Sequence, residues 1–188
     1  MKARLLKSLN VPGLIFIALF SLSLQGTLFM NTTAAFFQPD MILFLVLWAA
    51  MKREFNEGGI LTLVFAYLME LKSGAPKGLF LTNYMVIFMI ARFFYKNFQV
   101  INKRALILIG ITAALFSQLN ILFILFLLNK AENQWFHTLQ LLAPTAIVHG
   151  ALIPIVFKLL YRFDFWTLKN PDAEHRYERD FYLDEEPV

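Results

Sequence analysis

From Ala105 to Leu128 the chain carries no ionisable side chain. A run of that length can cross the hydrocarbon core of a bilayer, which takes about 20 apolar residues. This constrains the fold more than any other feature, because within lipid every backbone N–H and C=O must be paired inside the protein. Only helices and closed barrels meet that condition. Further apolar runs occupy Val11–Met30, Met41–Met51, Gly59–Leu71, Leu79–Tyr95 and Leu139–Tyr161, separated by short polar stretches. With 59% hydrophobic residues in 188, little is left for a soluble domain. The reading is an all-α membrane protein, a six-transmembrane helix bundle over residues 1–163. An acidic tail, 164–188, follows and is expected to be disordered.

Two spans are short. Met41–Met51 has 11 residues, and at 1.5 Å rise each these reach roughly 16 Å, about half the hydrocarbon thickness. Either Ala34–Phe37 extends the run beyond Pro39, or neighbouring helices cover it. Asp40 is placed to cap its N-terminus, with Pro39 outside the helix. Lys52–Gly59 reads as a charged turn closed by glycines. The last run is expected to be broken at Pro144 and Pro154, with His149 between them able to pair a carbonyl that a proline frees.

Charge sets the orientation. With the N-terminus inside, the inner segments hold Lys2, Arg4, Lys7, Lys52, Arg53, Arg92, Lys96, Lys103, Arg104, Lys158, Arg162, Lys169, Arg176 and Arg179. The outer loops hold only Lys72, Lys77 and Lys130. An excess of Lys and Arg marks the cytoplasmic side, so both termini are expected there. The N-terminal run has no small-residue cleavage site after it and reads as a retained helix rather than a signal peptide. Trp48, Trp135 and Trp166 near span ends suit an interfacial aromatic belt.

Few residues offer chemistry. There is no cysteine, and His137, His149 and His175 show no metal-ligand spacing. No nucleophile motif, zinc-protease motif or phosphate loop occurs, so neither an enzyme nor a cofactor is expected. The stretch Glu70-Leu-Lys-Ser73-Gly74-Ala-Pro76-Lys77-Gly78 sets a carboxylate at the end of one span beside a tight turn. Glu70 can serve the helix end, a salt bridge, or a partner or ligand; Gly74, Pro76 and Gly78 are what such a turn requires in any case. Asn83 and Asn120, with Ser117 and Gln118, suit hydrogen bonds between helices, and Arg92 suits snorkelling to the inner surface.

Three segments together resemble one family. Pro39-Asp40 before an apolar run, the acid-x-x-Ser-Gly-x-Pro-x-Gly turn of Glu70–Gly78, and Leu142-Ala-Pro144…His149…Pro154-Ile-Val-Phe157 are similar to MreD, the small membrane subunit of the bacterial rod-shape machinery. The resemblance covers roughly residues 5–163 and rests chiefly on the turn. Glu70 stands where that family more often has Asp, and His149 where it often has Asn. The resemblance implies a bundle like the substrate-binding subunits of energy-coupling-factor transporters, in the bacterial inner membrane. It also implies a non-enzymatic scaffold that binds an MreC-like single-span protein, with MreB, RodA and its transpeptidase nearby. Partner contact would fall on Glu70, Ser73, Gly74, Pro76 and Gly78, while Pro39, Asp40, Asn83, Pro144, His149 and Pro154 serve structure. One alternative is a small-molecule-binding transporter subunit using Glu70, Asn83 and Trp135. Another is a proton-coupled carrier using Glu70 and His149.

Overall fold

Among the residues that the computed structural model describes (8–29, 37–98, 102–130, 134–167 and 169), six α-helices follow in chain order. They are α1 (Asn10–Phe29), α2 (Met41–Lys52), α3 (Phe55–Ser73), α4 (Leu79–Phe98), α5 (Lys103–Leu127) and α6 (Gln134–Trp166). Four contain stretches long and apolar enough to cross a membrane: Asn10–Thr27, Leu79–Asn97, Lys103–Leu127 and Thr138–Trp166. The chain is a helical, multi-pass membrane protein. The expected tail from 170 onward, and Ala34–Phe36 before the second run, lie outside the described residues.

The short second run is the centre of the bundle. Every residue of α2 from Ile42 to Met51 is buried, and the helix touches each of the other five. A helix that is apolar all round belongs in the interior, and neighbours cover this one. Its Trp48 packs edge-on against Phe157 at 5.1 Å and is only 2% exposed. Trp48 is therefore a core residue, not a member of an interfacial belt, whereas Trp135 and Trp166 are exposed. Around α2 lie Phe65, Tyr84, Phe88 and Phe157, all buried.

α1 has no polar face, yet it has a defined inner one. Asn10, Leu14, Ala18, Leu22 and Gln25 are buried and recur at helical spacing, while Phe16, Leu19, Phe20 and Leu24 point outward. Between α2 and α3 the chain turns within Arg53-Glu54, so the expected turn over Lys52–Gly59 is mostly helix. Gly58 sits inside α3 because of a close approach. A Cβ there would lie 2.8 Å from the Ala49 carbonyl oxygen and 2.9 Å from the Phe88 ring.

α6 runs unbroken through Pro144 and Pro154, against the expectation of a break at each. A bundle tolerates proline where neighbouring helices support the interrupted ladder, and α5 packs along α6 over the most extensive helix pair in the protein. Two glycines make that approach close. A Cβ on Gly110 would sit 3.0 Å from the His149 carbonyl oxygen, and one on Gly150 would sit 2.7 Å from the Ile111 side chain. Small residues at a crossing let helix backbones meet where lipid gives no hydrophobic drive. α6 also continues to Trp166, so Asp164 belongs to the bundle rather than to the tail.

Candidate functional site

The turn after α3 is built from its own sequence. Gly74 ends the helix in the left-handed conformation, φ 62°, and Gly78 takes φ 90° before α4. Both are values that glycine adopts without a Cβ penalty. The Ser73 hydroxyl accepts from the Ala75 amide at 3.2 Å, and the Leu79 amide donates to the Pro76 carbonyl at 3.1 Å. Glu70 completes the turn: its Oε1 accepts from the Leu81 amide at 3.2 Å. The first amides of a helix lack intrahelical partners, so a carboxylate from α3 serves as the missing acceptor for α4. Lys72, two residues further on, reaches across to the Leu22 carbonyl on α1. Glu70, Ser73, Gly74, Pro76 and Gly78 thus come together as one rigid helix–helix connection.

At the same end of α2 a second polar cluster joins four helices. Asp40 caps α2 by accepting from the Leu43 amide at 3.0 Å through Oδ1, and its Oδ2 accepts from the Tyr84 hydroxyl of α4 at 2.7 Å. The Asp40 amide donates to His149 Nε2 of α6 at 3.0 Å. An amide can only donate, so Nε2 is unprotonated, and the proton is on Nδ1, which donates to the Thr145 carbonyl at 2.7 Å. The imidazole is neutral and both its nitrogens are used. It pairs Thr145, not the Gln140 or Gly150 carbonyl that Pro144 or Pro154 would free four residues earlier. Gln25 of α1 donates to the Pro39 carbonyl and closes the cluster.

The opposite end of α2 is held by charge. Arg53 and Asp164 are 4% and 5% exposed and form an ion pair at 2.5 Å. Asn10 of α1 donates to Asp164 at 2.9 Å and accepts from Arg53 at 3.0 Å, and it also donates to Thr167. Glu57 lies 3.5 Å from Arg53 and 3.0 Å from Lys169. Arg92 of α4 donates to the Ala50 carbonyl at 3.0 Å and to the Arg53 carbonyl. It turns inward to satisfy the last carbonyls of α2, where snorkelling was expected.

Asn83 is buried between α4 and α5, donating to Ser117 at 2.9 Å and accepting from Asn120 at 2.9 Å. Trp135 stacks edge-on with Phe126 near the far end of α5. Glu70 and His149 do not share a partner; each is bonded elsewhere. Among the described residues no three His, Asp or Glu side chains gather as metal ligands would.

A cleft of about 370 Å³ does exist, between α2, α4 and α5. Leu47 and Met51 form its floor, and Ile87, Ile90, Ala91, Phe94, Tyr95, Ile109, Thr112, Ala113 and Phe116 its walls. Sequence reasoning missed it, as it missed Gln25, Tyr84, Asn10 and Asp164. For Asn10 and Gln25 a signal was present: both fall on the same helical face as Leu14, Ala18 and Leu22, one at each end of the stripe. No family model, curated protein or solved structure matches this chain.

Proposed function

We propose that this chain is a non-enzymatic integral-membrane scaffold of the MreD type. In this reading it binds an MreC-like single-span protein and helps control cell shape and peptidoglycan synthesis, alongside MreB, RodA and its transpeptidase. Its place is the bacterial cytoplasmic membrane, with both termini inside, the orientation that the Lys and Arg distribution favours.

One observation carries the reading. α3 bears Glu57, Glu70 and Lys72 and is not among the four helices apolar enough to cross a membrane by themselves. Yet Ile60, Leu63, Tyr67 and Leu71 are exposed along a single face of it. The spacing of i, i+3, i+7 and i+11 is that of a helix-packing stripe. A partly polar helix in lipid gains from protein neighbours, through packing and hydrogen bonds. A partner's transmembrane helix laid along this stripe would meet a surface already held rigid by the Glu70–Gly78 turn at one end and the Arg53 ion pair at the other.

The test is a mild-detergent pull-down from the native membrane with a photo-crosslinking residue at Tyr67, and at Phe123 of α5 as control. A crosslink from Tyr67 alone to a single-span protein with a coiled-coil extracytoplasmic domain supports the scaffold. Recovery of a stoichiometric vitamin-like ligand with ATPase subunits would replace this reading with the transporter one.

A further inference from the structure

The cleft between α4 and α5 has an occupant that its chemistry selects. Its walls run from Ile87 to Tyr95 on α4 and from Ile109 to Phe116 on α5, inside two of the membrane-crossing stretches. Eight residues at 1.5 Å rise make it about 12 Å long. Within it only the Thr112 hydroxyl and the Tyr95 phenol are polar side-chain groups. A lining so nearly apolar is chemically matched to an alkyl chain.

One end of the cleft is basic. Lys52 follows Met51 of the floor, and its Nζ lies 5.6 Å from the centre of the Tyr95 ring that lines the wall. Lys96 follows Tyr95 and is exposed, and Arg104 is exposed in the first turn of α5, the helix that forms the facing wall. By charge distribution this is the end turned toward the cytoplasm, where anionic headgroups attract Lys and Arg. The apolar slot and the basic mouth are therefore continuous, as the tail and headgroup of one lipid are.

We propose that this cleft is a binding site for a single anionic phospholipid, one acyl chain lying against Leu47, Met51, Ala91 and Ala113 and the phosphate held by Lys52, Lys96 and Arg104. The site is separate from the α3 face and does not depend on the scaffold reading.

The experiment is native mass spectrometry of the full chain, stripped of lipid in detergent and titrated with phosphatidylglycerol or with phosphatidylcholine of the same acyl chains. One phosphatidylglycerol is retained, and it binds at least about fivefold tighter than phosphatidylcholine, the effect of about one basic contact. Lys52→Gln lowers phosphatidylglycerol affinity about fivefold and leaves phosphatidylcholine unchanged. Ala113→Trp fills the slot and removes retention of both lipids. Should that variant fail to fold, Ile90→Trp, at the half-exposed rim, closes the slot without entering the core. Equal affinity for the two lipids would overturn the proposal. So would undiminished binding by the folded slot-filling variant, or a photo-crosslink from Phe116 in native membranes that captures a protein helix instead of lipid.

Discussion

Replacing Asp164 with Asn tests whether its buried pair with Arg53 anchors α6 to the C-terminal end of α2. Asp164 and Arg53 are almost fully buried and joined at 2.5 Å. Removing one partner of a buried pair typically costs 3–5 kcal/mol, because the other charge stays behind uncompensated. Here Arg53 keeps two contacts, the Asn10 amide oxygen at 3.0 Å and Glu57 at 3.5 Å. The expected loss therefore falls at the low end, about 3 kcal/mol. It is read as a shift in the unfolding midpoint on titrating the detergent-solubilised protein with a denaturing detergent. The double variant Arg53→Met with Asp164→Leu removes both charges and recovers most of the loss, since apolar replacement of a buried pair is often neutral or better. A coupling of about 2 kcal/mol or more between the two sites is the expected signature. If Asp164→Asn costs under about 1 kcal/mol and the two changes simply add, the pair is solvated and α6 does not anchor α2 in this way.

Other consequences follow from the same geometry. Gly110→Ala sets a Cβ 3.0 Å from the His149 backbone oxygen and should cost about 1–3 kcal/mol by forcing α5 from α6, visible as a lower midpoint in the same titration. Glu70→Gln keeps an oxygen for the Leu81 amide and should be near neutral, whereas Glu70→Ala should cost about 1 kcal/mol and speed hydrogen exchange at Leu81. Equal effects of the two would mean that the charge, not the acceptor, is what α4 uses. His149→Leu leaves the Asp40 amide without an acceptor and should cost about 1–3 kcal/mol. His149→Gln, which can still accept, should lose less by thermal denaturation in detergent.

Much of the architecture was legible because the bilayer makes it so. Where water is absent, the length and polarity of an apolar run decide whether a helix crosses; α1, α2, α4 and α5 were found within three residues of their ends, while α6 extends five residues beyond the expected run at each end. The Asp40 cap and the glycines of the Ser73–Gly78 turn are local as well, since neighbouring residues in the chain set backbone conformation at a helix end. The reading failed where the answer depended on what lies opposite. Pro144 and Pro154 look like breaks until α5 is packed along α6. Gly58 looks like a turn until the Ala49 carbonyl is found 2.8 Å from where its Cβ would be.

The amino-acid sequence by itself determined that this chain lives in a membrane as helices, because the cost of unpaired backbone in lipid leaves no other solution. It also showed that the run Met41–Met51 reaches only about half the hydrocarbon thickness, and left open whether residues before Pro39 extend it or neighbours cover it. Only the tertiary structure decided that this helix is the axis of the bundle, and which side chains close its two ends. Asn10, Gln25, Tyr84, Arg92, His149 and Asp164 come from three helices up to 154 residues apart in the chain. Apolar periodicity carries no record of such pairings, because each is fixed by a distance between helices, and that distance is set by glycines and packing rather than by any local preference.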